Sequence, residues 1–592
     1  MTACVIPHHG PPVPGCRALG RRREQPSPAR ESADQPARPS GCVTLRHVTA
    51  PSEPRRASGA AAPARSNRRW LVWLPPAALT LAVSLTEVSR AQLWRDELAT
   101  WSAATRPVGD LVRLAGTIDA ATGPYYLLMH GWIALFGDST TALRLPSVLA
   151  MAATAGLTAR LGERLVDARV GLLAGLLLAV LPGTSRYAQE ARPYALATLL
   201  AVLATLLLVE ALRRPSWARW AGYAAAVAAL GLTHLIALTL LAAHAVAVLL
   251  VQWRDPAAAG LDTLPDGAER PADSRRRDDP PADDRPDVEP PGGGQPGDAR
   301  PGGEGSGGVR RAGRHVLLRW LVALVPAVLL VGPLVVVARG QRSRQLDWVD
   351  PARLTDLAAL PGGVAQSGAV GGLLLGLAAL GAGRLGRRAL LPAACVLLPV
   401  LLVFAAGVVV PLWVPRYLVF TVPFGCLLAG AAPAGVRLAP ALAVVVLAGL
   451  LGLPDQAGLR RTHEWPRSAT VDYRGVARVI ADHEQPGDVI VFSPRESWLF
   501  LDLGTAYHLG SRQPRDALVV RDQRQRADLW AGECDRPAEC LAGAGRVWLV
   551  VAGRRSDPAA AVPGAKGAAL RDGLTVRQVW PRPGLTVALL TR

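Results

Sequence analysis

Apolar residues fall in long unbroken runs separated by short, arginine-bearing breaks, and this alternation predicts a chain that crosses a membrane many times. Runs at 71–88, 143–161, 170–187, 194–212, 217–232 and 235–253 each approach the roughly 20 residues that span a ~30 Å hydrocarbon core at ~1.5 Å per residue. Five more follow at 315–338, 370–385, 389–411, 417–432 and 438–453, for eleven predicted crossings. Between the first two runs lies a long polar loop, 89–141. Its pieces 108–115 and 126–136 keep helical apolar spacing but are too short to cross, which predicts interfacial helices lying on the outer leaflet. Past Asp455 the pattern changes again. Residues 474–483 read as an amphipathic helix, 488–492 and 547–551 as buried strands and 585–590 as a last strand, so a small α/β domain is expected there.

Two segments carry no hydrophobic period and are read as disordered. Residues 1–69 form a tail rich in Pro, Arg, Ser and Gly, and 254–314 form a linker of Pro, Gly, Asp and Arg. The expected plan is therefore a tail (1–69), a membrane half (70–253), the linker (254–314), a second membrane half (315–453) and the terminal domain (454–592). The fold class is an all-α polytopic membrane domain with a small extracytoplasmic α/β domain.

The composition agrees, with 50% hydrophobic residues but only 5% aromatic ones in a chain of 592. Its net charge of +19 comes almost wholly from arginine, Lys566 being the one lysine, which with the Ala, Gly and Pro excess fits a GC-rich bacterial genome. Nucleic-acid binding is not expected, because no aromatic-and-basic module accompanies the charge. Instead the arginines orient the chain. Arg68, Arg69, Arg160, Arg164, Arg169, Arg213, Arg214, Arg219, Arg384, Arg387, Arg388 and Arg437 alternate onto one side, the predicted cytoplasmic one. An odd number of spans then puts the terminal domain outside a bacterial cytoplasmic membrane, where Cys534 and Cys540 could close a short disulfide. No cysteine or histidine spacing resembles a metal site.

The candidate chemistry begins at Trp94-Arg95-Asp96-Glu97, a carboxylate pair just beyond the first span. It reads either as the solvated first turn of a loop helix or as an acid/base site fed from the bilayer. Outer-face arginines oppose the orientation rule unless an anion repays them, which singles out Arg192 in Gln189-Glu190-Ala191-Arg192-Pro193-Tyr194, Arg416 beside Tyr417, and Arg144. A guanidinium matches phosphate geometrically, so these could hold a lipid-linked phosphate, although a lone interfacial arginine often contacts only headgroups. Asp119, ahead of Gly123-Pro124-Tyr125-Tyr126 and His130, is either a helix cap or a sugar-binding carboxylate with Tyr125 or Tyr126 stacking on the ring. His234 reads as a hydrogen-bonded interface residue, in preference to a polar ligand, and His244 as one satisfied by a neighbouring helix.

Taken in order, Trp94 to Glu97, Asp119 to His130, Leu143-Arg144-Leu145-Pro146-Ser147, Gln189 to Ala195 and Pro415-Arg416-Tyr417-Leu418 resemble the GT-C class of polytopic glycosyltransferases. The resemblance is to the protein O-mannosyltransferase and aminoarabinose-transferase-like enzymes, and to an actinobacterial putative mannosyltransferase branch. It covers roughly residues 73–453 and is strongest before Trp253. It implies a polyprenyl-phosphate sugar donor, a glycan, glycolipid or protein acceptor, reaction on the outer face and inversion at the anomeric carbon. Asp96 would take the acceptor proton, Glu97 would orient it or the substrate, and Arg192, Arg416, Tyr417 and Arg144 would serve the donor phosphate. Asp119, Tyr125, Tyr126, His130 and Glu190 would contact sugar or acceptor. Thr122-Gly123-Pro124 departs from the His-Pro-Pro-like turn of many relatives, which puts sugar contacts there in question. A flippase for a lipid-linked sugar would use similar arginines but should show internal repeats, which the sequence lacks, and a non-catalytic assembly scaffold would tolerate loss of Asp96.

Overall fold

The computed structural model describes residues 70–253, 316–464 and 470–592; the expected tail and linker lie outside the described residues. The first half comprises α1 (Trp70–Leu85), α2 (Arg95–Ala104), α3 (Val108–Thr117), α4 (Gly123–Phe136), α5 (Thr140–Leu165), α6 (Ala168–Val180), α7 (Pro182–Ala188), α8 (Tyr194–Arg213), α9 (Trp217–Thr233) and α10 (Leu240–Trp253). The second comprises α11 (Val316–Gln345), α12 (Leu354–Ala365), α13 (Gly368–Leu385), α14 (Leu390–Val409), α15 (Val422–Ala431) and α16 (Leu438–Leu459), with a 3-10 turn over Pro415–Thr421 before α15.

Every expected apolar run coincides with a helix, but length and composition support a smaller number of independent spans. Among the described residues seven helices are long and apolar enough to cross, or eight if α6 and α7 are one span. Helices α1 and α9, at 16 and 17 residues, fall just short. Residues 368–409 register as one stretch although they contain both α13 and α14. The expected run at 170–187 is broken: α6 and α7 meet at a 67° bend. The cause is local. Leu181 adopts extended backbone (φ −68°, ψ 133°), the conformation that a following proline favours, and there α6 ends and α7 begins with Pro182 in its first turn.

Helices pack closely where small residues remove the obstruction of a side chain. A Cβ on Gly171 of α6 would lie 2.2 Å from the Ala159 carbonyl oxygen of α5, and one on Gly381 of α13 would lie 1.8 Å from the Leu428 oxygen of α15. Deeper in the bundle His244 is satisfied by its neighbours, with Thr205 Oγ1 and Tyr223 Oη each 3.0 Å from its ring nitrogens.

The C-terminal part holds α17 (Tyr473–His483), β1 (Val489–Ser493), α18 (Leu501–Leu509), β2 (Arg515–Asp516), β3 (Val519–Arg521), β4 (Gly532–Glu533), α19 (Pro537–Cys540), β5 (Arg546–Ala552), α20 (Gly564–Gly573), β6 (Thr575–Arg582) and β7 (Leu585–Thr591). Five strands form one sheet in the order β2-β1-β5-β7-β6. Strand β1 runs parallel to β2 and β5, whereas β7 is antiparallel to β5 and β6. Both faces are covered, which is why β1 and β5 read as continuous apolar runs. Val489, Val491 and Leu549 point into one core, and Ile490, Phe492 and Trp548 into the other. The half-exposed strand β6 carries no such run. Cys534 and Cys540 are joined in a disulfide.

The second of those cores is shared with α2 to α4, and that sharing positions the site. Leu98, Leu114, Tyr126 and Met129 pack in one cluster with Val476, Ile480, Phe492 and Trp548. Polar ties reinforce the junction. The Gln92 side chain donates to the Val471 oxygen (2.6 Å) and accepts from the Arg474 N–H (3.0 Å), Arg106 Nη2 donates to the Asp528 oxygen (2.8 Å), and Arg524 pairs with Asp110 (2.8 Å).

Candidate active site

The site is built on the first turn of α2, whose N-cap is Trp94. Starting the helix there sends consecutive residues in different directions, so the two neighbouring carboxylates have different surroundings. Glu97 turns into the protein. It is fully buried, accepts from Arg144 through both oxygens (2.8 and 2.7 Å), and also accepts from the Ala191 N–H (2.9 Å). Burial alone would raise its carboxyl, but the Arg144 charge and hydrogen bonds hold it well below the usual carboxylate range. Arg144 is equally buried and spends its remaining donors on the Val88, Ala91 and Gln92 carbonyls (2.7, 2.9 and 3.3 Å). Both side chains are sealed from any opening, which argues against direct contact of Glu97 with substrate or of Arg144 with the donor phosphate; together they lock the loop entering α2 to α5 and to the turn before α8.

Asp96 turns the other way. Its Oδ2 lies 3.5 Å from Arg416 Nη2 and accepts no hydrogen bond. Arg416 comes from the 3-10 turn before α15, where Pro415 presets the backbone, and its Nε donates to Tyr194 Oη (3.1 Å). Its guanidinium sits 5.8 Å from the Trp94 ring and 5.2 Å from that of Trp348, a position that favours a fixed cation. Arg192, in the turn ahead of α8, reaches the Asp96 carbonyl (3.4 Å), Thr100 Oγ1 (3.4 Å) and Tyr126 Oη (3.2 Å), and its Nε has no partner. The structure thus brings Asp96, Arg192 and Arg416 into one place. Tyr417 lies on the apolar side of it, within 6.3 Å of the Tyr194 ring and 5.5 Å of the His234 ring. Tyr194, His234, Arg416 and Tyr417 line a narrow crevice with Ala197, Val419 and Phe420. His234 Nδ1 is buried without a hydrogen bond, contrary to the expectation of a satisfied interface residue.

Other candidates are engaged within the protein. Asp119 adopts left-handed backbone (φ 60°) and accepts from Thr122 Oγ1 (2.8 Å), Gln345 Nε2 (2.8 Å) and the Tyr126 hydroxyl, which occupies most of its acceptor capacity. Tyr125 and Tyr126 are buried in the core shared with the sheet domain and offer no open face for stacking. His130 Nδ1 lies 2.9 Å from the Ala104 carbonyl oxygen, pinning α4 to α2.

Glu190 remains, and it leads to residues that the sequence did not flag. Its Oε2 accepts from Arg186 of α7 (2.7 Å), its Oε1 has no partner, and burial pushes its carboxyl up to about 7. Arg186 stacks 4.9 Å from the Trp94 ring and donates to the His463 carbonyl (3.2 Å). His463 and Glu464, just after α16, thereby enter the site. Next to His463, Glu464 pairs with Arg95 Nη2 (3.0 Å). Arg186 stood inside an expected apolar run, where a lone arginine was the available signal. His463 and Glu464 carried none. Among the described residues no three His, Cys, Asp or Glu side chains converge closely enough to hold a metal ion.

The fold that carries this site has known counterparts. Residues 124–259 match the family described as dolichyl-phosphate-mannose-protein mannosyltransferase. The crystal structure of ArnT from Cupriavidus metallidurans in the apo state superposes with a TM-score of 0.54 at 15% identity, covering 88% of this chain and 97% of that one. The same protein bound to undecaprenyl phosphate gives 0.55 at 14% identity, covering 88% and 98%. The fold is that of a GT-C glycosyltransferase. No curated protein sequence matches the chain. Within the GT-C fold the residues described above occupy the loop after the first membrane helix, the turn before α8 and the turn before α15.

Proposed function

We propose that the protein transfers a sugar, mannose, from a polyprenyl-phosphate donor to an acceptor hydroxyl on the outer face of the cytoplasmic membrane, with inversion. The observation that carries this reading is Asp96 Oδ2, free of hydrogen bonds and 3.5 Å from Arg416. An oxygen with no hydrogen bond of its own is open to an incoming hydroxyl and can take its proton as a general base. As the acceptor oxygen attacks the anomeric carbon, its proton passes to Asp96 and the bond from that carbon to the phosphate oxygen breaks. Negative charge then grows on the departing phosphate, and Arg416 with the free Nε of Arg192 offsets it. Both cations are held in advance, Arg416 by Trp94, Trp348 and Tyr194 and Arg192 by Thr100 and Tyr126, so little reorganisation is needed.

Two comparisons support the choice of substrate. A structural neighbour is known bound to undecaprenyl phosphate, and the matching family is described by a dolichyl-phosphate-mannose donor. The distribution of arginines supports the orientation, with the N-terminus inside and the sheet domain outside. A glycan, glycolipid or protein would supply the acceptor hydroxyl. The test is release of polyprenyl phosphate from decaprenyl-phospho-mannose by the purified full-length protein. Turnover dependent on Arg416 supports the reading, and no turnover with any polyprenyl-phospho-sugar, with or without cell-envelope acceptors, contradicts it.

A further inference from the structure

Trp94 is surrounded by more charge than the reaction above employs. Three guanidinium groups approach its ring, those of Arg186 at 4.9 Å, Arg416 at 5.8 Å and Arg95 at 5.9 Å. Each is paired with a carboxylate: Arg186 with Glu190 (2.7 Å), Arg416 with Asp96 (3.5 Å) and Arg95 with Glu464 (3.0 Å). In every pair one carboxylate oxygen has no hydrogen-bond donor, namely Glu190 Oε1, Asp96 Oδ2 and Glu464 Oε1. Glu190 is 1% exposed and Glu464 5%, so bulk water does not reach these oxygens freely. Folded proteins rarely bury polar atoms without partners, and three around one indole point to a ligand that supplies donors.

The chemistry of that ligand follows from the spacing and the charge. The three acceptors do not converge closely enough to share one ion. A second phosphate would be repelled by them. Hydroxyl groups spread around a sugar ring supply separate donors to separate oxygens without bringing charge. We propose that Glu464, together with Glu190, reads hydroxyls of the sugar being transferred, so that the residues just after α16 form part of the donor site. His463 and Glu464 are held there by Arg186 Nη2 on the His463 carbonyl (3.2 Å) and by Arg95 on Glu464. Burial raises the carboxyl of Glu464, so a neighbouring hydroxyl donor favours its ionised form. This assignment rests on the donor reading given above and adds the residues that select the sugar.

The experiment compares two probes, decaprenyl phosphate and decaprenyl-phospho-mannose, binding to the full-length protein in detergent. Wild type, Glu464→Gln and Glu190→Gln are measured, each checked for an unchanged size-exclusion profile. Loss of one charge-assisted hydrogen bond predicts about tenfold weaker binding of the sugar-bearing lipid in each variant, with bare decaprenyl phosphate within about twofold of wild type. If both lipids weaken equally, or neither does, the carboxylates are structural and the inference falls while the donor reading stands. Failure of wild type to bind either lipid overturns the donor reading itself, and this inference with it.

Discussion

Replacing Arg144 by Met tests whether the pair it forms with Glu97 is architectural. Both side chains are fully buried, and Arg144 grips Glu97 through two bonds of 2.8 and 2.7 Å. Removing one partner of a buried pair typically costs about 3–5 kcal/mol, because the other charge is left uncompensated. The Val88 and Ala91 carbonyls, which accept from Arg144 Nη1 at 2.7 and 2.9 Å, would also lose their donor. Each orphaned carbonyl adds about 1–3 kcal/mol, so the total is on the order of 5–10 kcal/mol. That is comparable to the whole stability of an ordinary domain, about 5–15 kcal/mol. Fluorescence-detected size exclusion of a tagged protein should show Arg144→Met largely aggregated. The double variant Glu97→Leu/Arg144→Met, which leaves no lone charge, should recover part of the monodisperse peak. A monodisperse Arg144→Met with a wild-type melting midpoint and weakened donor binding would refute this reasoning and return Arg144 to the phosphate.

Arg416→Met should behave in the opposite way, because its side chain is about a quarter exposed and the proposed mechanism uses its charge on the leaving phosphate. The folded yield should be kept while kcat falls by at least about a hundredfold, as read by single-turnover release of polyprenyl phosphate. Glu190 predicts a pH signature. Its folded carboxyl is raised from 4.5 to about 7, so between those values the folded state binds more protons than the unfolded one. Stability should therefore fall as pH rises across that window and level off above it, and melting curves of Glu190→Gln should lose the slope. For topology, a membrane-impermeant maleimide added to intact cells after mild reduction should label Cys534 in a variant whose other five cysteines, apart from Cys540, are serine. Labelling only after the membrane is opened would place the sheet domain inside.

The membrane helices were legible because continuous apolar runs have few other uses, and β1 and β5 because both faces of a central strand are buried. The bend at Leu181 was not legible from Pro182 alone, since Pro146, Pro326, Pro333 and Pro399 sit inside continuous helices of the same bundle. What periodicity could not supply was the difference between arginines. Arg144 and Arg416 look alike in sequence, each a basic residue at an interface, and only packing shows that one is sealed against Glu97 while the other faces Asp96. The same holds for Asp119, whose oxygens accept from Thr122, Tyr126 and Gln345, the last contributed 226 residues away. Glu464 reaches the site across 369 residues of chain from Arg95, a pairing that no local pattern encodes.

Substituting Asp96 by Asn most directly tests the central claim. The change keeps the size of the side chain and removes its capacity to accept the proton, and Asp96 Oδ2 accepts no hydrogen bond whose loss would disturb the fold. Sugar transfer from decaprenyl-phospho-mannose by the purified Asp96→Asn protein should vanish while its size-exclusion profile and melting midpoint match wild type. Turnover retained at the wild-type rate would contradict the account.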